Sequence, residues 1–166
     1  MTECTGFNVL RDGVSIGTVE VTDATEYTFS DINVDKITNS SKTKGTVRVY
    51  KLSKKTAKTV TIPESVKIDG YTFKVTVIEK SAFASAKKLS KVVIGKNVTM
   101  IGKDAFKDCK NLKTIQVKSA VLKSVGANAL KNINAKAKIK VPTAKKKVYT
   151  KLFKNKGQKK TVKITK

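Results

Sequence analysis

Asp104 and Asp108 stand four residues apart, in a repeat region whose acids are Glu64, Asp69, Glu79, Asp104 and Asp108. Two carboxylates on one helical face would be the minimal kit for general acid–base work. The rest of the chain gives them little help. There is no His, which removes the commonest general base and the commonest zinc ligand. No phosphate-cradling Gly loop, nucleophile elbow or paired-Cys metal motif occurs. Asp104 also has a structural reading, as an acid at the start of a short helical turn, where a helix N-terminus favours negative charge. That reading is the stronger one, so the expectation is a protein that is not an enzyme, with no catalytic residue, no metal and no cofactor.

The two thiols, Cys4 and Cys109, lie far apart in sequence and do not make a disulfide framework. The dominant chemistry is cationic. Lys plus Arg is 36 against 12 acids, a net of +24, and only Arg11 and Arg48 are arginines. The charge is uneven: residues 1–50 carry a net of −2 and residues 51–166 a net of +26. Such a break marks two segments of different character. No apolar run approaches the roughly 18–20 residues needed to span a bilayer. The first residues, Met1 to Phe7, lack the pattern of a signal peptide. The expectation drawn is a piece of a longer exported chain.

An internal repeat positions these residues. Leu89, Val92, Ile94, Val98, Ile101, Gly102, Ala105, Phe106 and Cys109 recur as Leu112, Ile115, Val117, Leu122, Val125, Gly126, Ala129, Leu130 and Ile133. The offset is 23 residues up to Val117 and 24 beyond it, the extra residue falling in a loop before Leu122. Upstream, Val60, Ile62, Val66, Ile78, Ala82, Phe83 and Ala86 make another copy, interrupted by Lys67–Val77 with a hairpin signal at Asp69-Gly70. A half-copy follows at Ile139-Lys140-Val141. Each Val-x-Ile pair alternates with period two and predicts a short strand with one buried face. Gly102 and Gly126 are expected to turn with positive φ. The Ala-Phe pairs then belong on short helical turns, with Phe83, Phe106 and Leu130 in one inner column. Cys109 takes the place of Ala86 and Ile133 and reads as a small buried residue. The fold class expected is mainly β with short helical turns: a solenoid of about three 23–24-residue repeats, one strand per turn, closed by a C-terminal helix and strand.

The run Ile101-Gly-Lys-Asp-Ala-Phe-Lys-Asp-Cys-Lys-Asn-Leu-Lys-Thr-Ile115 resembles the BspA-type leucine-rich repeat, over about residues 46–166. Glu79 departs from the pattern where Gly is expected, which predicts a less regular turn near Ile78. Leu130 departs where Phe is expected, an apolar swap. The resemblance implies a surface protein of anaerobic gut or oral bacteria that serves adhesion or recognition of surface molecules.

The ends differ from the repeats. Residues 142–166 form the expected cap: Thr143 at a helix N-cap, an apolar stripe of Val148, Tyr149, Leu152 and Phe153, a stop at Gly157, and a last strand over Thr161–Thr165. Residues 1–33 contain a hairpin about Asp12-Gly13 and a strand over Glu26–Phe29. With the run from Gly6 to Thr18 they resemble the later half of a fibronectin type III domain. Residues 34–45, rich in Thr, Ser, Asn and Lys, read as a linker.

Stacking the repeats sorts the surface into two kinds. The outward strand positions Thr61, Val93, Gln116 and Lys140 form an expected ligand face for a protein or glycan. Beside the Ala-Phe turns, Lys80 stacks with Lys103, Lys87 with Lys110, and Lys107 with Lys131, and Lys145, Lys146 and Lys147 extend this basic patch. It is expected to hold anionic polymers such as wall polymers or sulfated glycans, and nucleic acid only non-specifically, because lysine acts as a flexible point charge. Dedicated nucleic-acid binding would call for Arg and for aromatics interleaved with the lysines, which this chain lacks. A structural spacer is the third reading. The localisation expected is extracellular or at the cell surface.

Overall fold

The computed structural model describes residues 6–11, 14–20, 27–28, 31–35, 45–52, 56–68 and 71–166. Its strands are β1 (Gly6–Arg11), β2 (Val14–Glu20), β3 (Tyr27–Thr28), β4 (Asp31–Asp35), β5 (Gly45–Lys51), β6 (Thr59–Ile62) and β7 (Ser65–Ile68). They continue with β8 (Tyr71–Ile78), β9 (Lys91–Ile94), β10 (Met100–Ile101), β11 (Thr114–Val117), β12 (Ser124–Val125), β13 (Lys138–Lys140) and β14 (Lys163–Thr165). A 3₁₀ turn at Thr143–Lys145 leads into one helix, α1 (Lys146–Leu152).

The alternating Val-x-Ile pairs do what their period requires. In β6 and β11 buried and partly exposed residues alternate. The strands stack in the order β3-β6-β9-β11-β13-β14, parallel throughout. Val60, Val92, Ile115, Ile139 and Ile164 are in register and face inward. No coil can bury this row alone, so each rung is completed by its neighbours.

Each regular coil holds two strands rather than the one expected. Ile101 and Val125 lie in β10 and β12, which join β8 in a second parallel ladder. The solenoid runs to about five turns. That exceeds the regular 23–24-residue units because the outer coils carry insertions, a hairpin in one and α1 in another. β7 and β8 form that hairpin, with Ile68 opposite Tyr71. Its tip, Asp69-Gly70, lies outside the described residues.

The third side of each coil is a chain of tight turns, not a helix. Ser81, Asp104 and Asn128 have φ of 59°, 56° and 54°; Ser85, Asp108 and Asn132 have 60°, 61° and 58°. These are the repeat's left-handed corners, where Asn and Asp are the side chains that tolerate the conformation best. Between the corners, alternate amides reach the next coil: Phe83 N–H to the Ala105 carbonyl at 2.8 Å, and Phe106 N–H to that of Ala129 at 2.9 Å.

Gly102 and Gly126 have negative φ, so the expectation of positive φ is corrected: the left-handed glycine among the described residues is Gly157, at 90°. Gly102 is required by close approach instead. A Cβ there would lie 2.6 Å from the backbone carbon of Glu79, and one on Gly126 would strike Lys103 N. Adjacent coils pass nearly in backbone contact at this column. Glu79 escapes the rule because the neighbour on its other side is β5. Its amide reaches the Val49 carbonyl at 2.7 Å, and its carboxylate pairs with Arg48 at 2.9 Å.

In the cap, Tyr149 and Phe153 are buried and Leu152 packs at the edge of the core. Val148 is 53% exposed, so the inward stripe is narrower than expected. Thr143 is not the N-cap: it is the first residue of the 3₁₀ turn, which Pro142 precedes, and no side chain caps either start. Asn155 and Gly157 end the helix in left-handed conformations. β14 then pairs with β13, as the sequence expectation of a final strand required.

At the other end, β1 and β2 pair antiparallel as a hairpin whose tip, Asp12-Gly13, lies outside the described residues. β3 pairs with β6, and β4 pairs with β1 and β5, so these strands extend the same two sheets. Val34 and Asp35 belong to β4 and Gly45 to β5, which narrows the expected linker; residues 36–44 of it lie outside the described residues.

Candidate functional site

The four expected ligand-face residues come together. Thr61 is in register with Val93, Val93 with Gln116 and Gln116 with Lys140, and Thr165 adds a fifth rung. They alternate with the core row and so point outward. Val93 is nevertheless only 6% exposed, although it stands apart from the main core cluster.

A second outward row was not foreseen. Thr59, Lys91, Thr114, Lys138 and Lys163 are also in register. With Lys140 this makes the strand face basic towards β13 and β14. The parity rule already contained the signal, since Lys138 is two residues before Lys140 and must share its face.

The lysine columns also stack. Ser81 N–H donates to the Lys103 carbonyl, Ser85 N–H to that of Lys107 and Asp108 N–H to that of Lys131. Asn111 and Asn134 donate to the Lys87 and Lys110 carbonyls at 2.6 and 3.3 Å. Lys80, Lys87, Lys103, Lys110 and Lys131 are exposed, and Lys107 half-buried. Of the cap lysines, Lys147 is exposed while Lys145 and Lys146 are half-buried.

Asp104 and Asp108 do not make a helical carboxylate pair. They occupy two successive left-handed corners, and Asp108 Oδ1 accepts from Asn132 Nδ2 at 2.6 Å. Asp104 is at a corner rather than a helix N-terminus, because no helix forms there. The two acids shape the coil, and the same columns use Ser and Asn for the purpose.

Cys109 is fully buried and free; Cys4 lies outside the described residues. Burial pushes the Cys109 thiol up to about 12 from an ordinary 9.0; the Ala86 backbone hydrogen bond opposes the rise and the charge of Asp108 adds to it. A thiol this reluctant to ionise is a poor nucleophile. Sγ lies 3.0 Å from the Phe83 carbonyl, to which it donates. Cys109→Ser therefore keeps an acceptor and is expected to cost only about 1 kcal/mol. The native state retains its proton at pH values where the unfolded chain loses it, so stability falls as pH rises from 9 towards 12. The slope from this group is about 1.4 kcal/mol per pH unit. Urea melts of the wild type and Cys109→Ala at pH 8 and in this window check it: equal pH dependence would refute the assignment.

The most informative polar cluster is one the sequence did not announce. Tyr149 Oη donates to the Ser119 carbonyl and accepts from Leu122 N–H, both at 3.0 Å. Ser119 is fully buried, and its hydroxyl donates to the Val98 carbonyl at 2.6 Å. The loop holding the repeat's extra residue is thus tied to the cap by one tyrosine. Among the described residues no three His, Cys, Asp or Glu gather as a metal site, and no helix is long and apolar enough to cross a membrane.

The model of the BspA type leucine-rich repeat region, in six copies, matches residues 13–79 and 76–166. The match reaches back into the segment that resembles fibronectin type III, a likeness the comparisons do not support. Among solved structures, the chain is similar to a leucine-rich cell surface protein of Faecalibacterium prausnitzii A2-165. Identity is 24% and the TM-score 0.52, over 72% of this chain and 29% of that one. It is also similar to a leucine-rich repeat protein of Bacteroides ovatus ATCC 8483, with 20% identity and a TM-score of 0.46, over 65% of this chain and 35% of that one. The chain thus spans about a third of the length of these two proteins. No curated protein matches it in sequence. With stacked parallel rungs, a backbone-contact glycine column and a family match running from residue 13 to residue 166, the chain belongs to the BspA-type leucine-rich repeat family.

Proposed function

We propose that this chain is a non-catalytic recognition module of a cell-surface or secreted protein, and that it acts in adhesion by holding a partner protein on its outer strand face. The observation that carries the reading is the register of Thr61, Val93, Gln116, Lys140 and Thr165 on five parallel rungs, in which Gln116 is half-exposed and Lys140 exposed. A regular, rigid face of varied side chains is the binding surface solenoids use. The likeness to the leucine-rich cell surface protein of F. prausnitzii supports the location. The turn-side lysines play a second, unselective part, attracting anionic polymers in a salt-dependent manner.

The test is flow cytometry of the labelled protein on epithelial cells, at physiological and at raised salt. Saturable binding should survive the salt. Replacing Gln116 and Lys140 together by Glu should weaken it about tenfold, a loss within reach of a central interface contact. Replacing Lys80 and Lys103 by Ser should leave it unchanged. Binding that vanishes in salt and ignores the strand-face change would sink the reading.

A further inference from the structure

We propose that the margin of the strand face where β13 and β14 begin is a binding site for an anionic polysaccharide, one carrying sulfate or carboxylate groups along its chain. The site is a shallow cleft of about 240 Å³, lined by Ala135, Lys136, Ala137, Lys138, Thr161 and Lys163. Two coil segments converge to form it. Thr161 Oγ1 donates to the Ala135 carbonyl at 2.5 Å, and Lys163 N–H to that of Ala137 at 3.1 Å. Lys138 and Lys163 sit opposite each other in register, so their side chains start about 4.8 Å apart. Lys136, Lys138 and Lys163 are all exposed. No acidic residue occurs between Asp108 and Lys166. Of the earlier acids, Glu64 pairs with Lys96 and Glu79 with Arg48. Three ammonium groups with no ion pair among the described residues surround one cleft and repel one another, and an anion seated among them turns that repulsion into attraction.

The shape selects the ligand class. The cleft is smaller than the roughly 300–1,000 Å³ that encloses a whole small ligand. It therefore takes one acidic group at a time from a longer chain. Half-exposed Ala135 gives a small apolar patch on which the edge of a sugar ring can rest. Nucleic acid would call for stacking aromatics, and the cleft has none. An acidic peptide would take its affinity from open backbone groups, but Lys138 N–H is already bonded to the Lys113 carbonyl and Lys163 N–H to that of Ala137.

The site goes beyond the protein partner above, and its test is separate from the raised-salt cell assay. A short heparin oligosaccharide is titrated calorimetrically into the full chain at low salt. The variant Lys136→Ser/Lys138→Ser/Lys163→Ser is compared with Lys74→Ser/Lys118→Ser/Lys123→Ser, which loses the same charge from exposed positions outside both the cleft and the turn-side patch. The cleft variant should bind about tenfold more weakly, as three modest ion contacts require, and the control less than about threefold. Polyglutamate and single-stranded DNA of matched charge should bind more weakly than heparin. Equal losses in the two variants would show a diffuse field in place of a site. Tighter binding of polyglutamate or DNA would move the ligand class to peptide or nucleic acid. Either result overturns the proposal.

Discussion

Replacing Phe106 by Ala is expected to cost about 3–5 kcal/mol, from lost transfer energy and the cavity left behind. The ring is fully buried. It stacks on Phe83 with centroids 5.1 Å apart and planes within 9°. That offset-stacked geometry adds to the area term. Phe106 N–H reaches the Ala129 carbonyl, beside Leu130, so the ring belongs to a column shared by three coils. The damage must spread, because in a solenoid each unit is stabilised by its neighbours. Urea melting measures the cost. Amide hydrogen exchange measures the spread: Phe83 and Leu130 amides should lose protection together with Phe106. An unchanged melt, or loss confined to residues 101–112, would show that the coils are energetically separate.

Tyr149→Phe is expected to cost about 2–4 kcal/mol, although it removes a single oxygen. That oxygen satisfies two buried backbone groups, Leu122 N–H and the Ser119 carbonyl. Leaving such groups unpaired costs about 1–3 kcal/mol each. The ring and its packing remain, so the loss reports the hydrogen bonds rather than burial. Thermal melting, with exchange at Leu122, is the measurement. A variant as stable as the wild type would mean that water reaches the loop, and that the cap is held by its apolar side chains alone. Leu152→Val, at the edge of the core, serves as the comparison: a methylene lost there should cost less than the hydroxyl, about 0.5–1.5 kcal/mol.

The repeat itself was legible from composition and spacing. Val-x-Ile alternation can bury only one face, so Val92, Ile115 and Ile139 had to stack. Recurrence at 23 and 24 residues had to bring Phe83, Phe106 and Leu130 into one column. The Lys80, Lys87 and Lys107 columns and the outward row of Thr61, Val93, Gln116 and Lys140 follow from the same period. These are consequences of local geometry, because side-chain direction in a strand depends only on parity.

What only the tertiary structure decided concerns the space between coils. The glycines at 102 and 126 looked like sites of left-handed backbone; they are sites where two backbones meet, and that distance belongs to the stack rather than to the chain. The left-handed corners fell instead on Ser81, Asp104 and Asn128, whose shared role is hidden because three different residue types fill it. Asp104 and Asp108 therefore looked like chemistry and are turn formers. Lys138 and Lys163 lie 25 residues apart, off the regular period, and met only once β14 was docked on β13 beyond an intervening helix. Tyr149 looked like one more apolar cap residue, yet its hydroxyl closes the loop created by the repeat's extra residue. Hydrogen bonds between distant segments depend on distance and angle to within tenths of an ångström, and periodicity in sequence carries no such information.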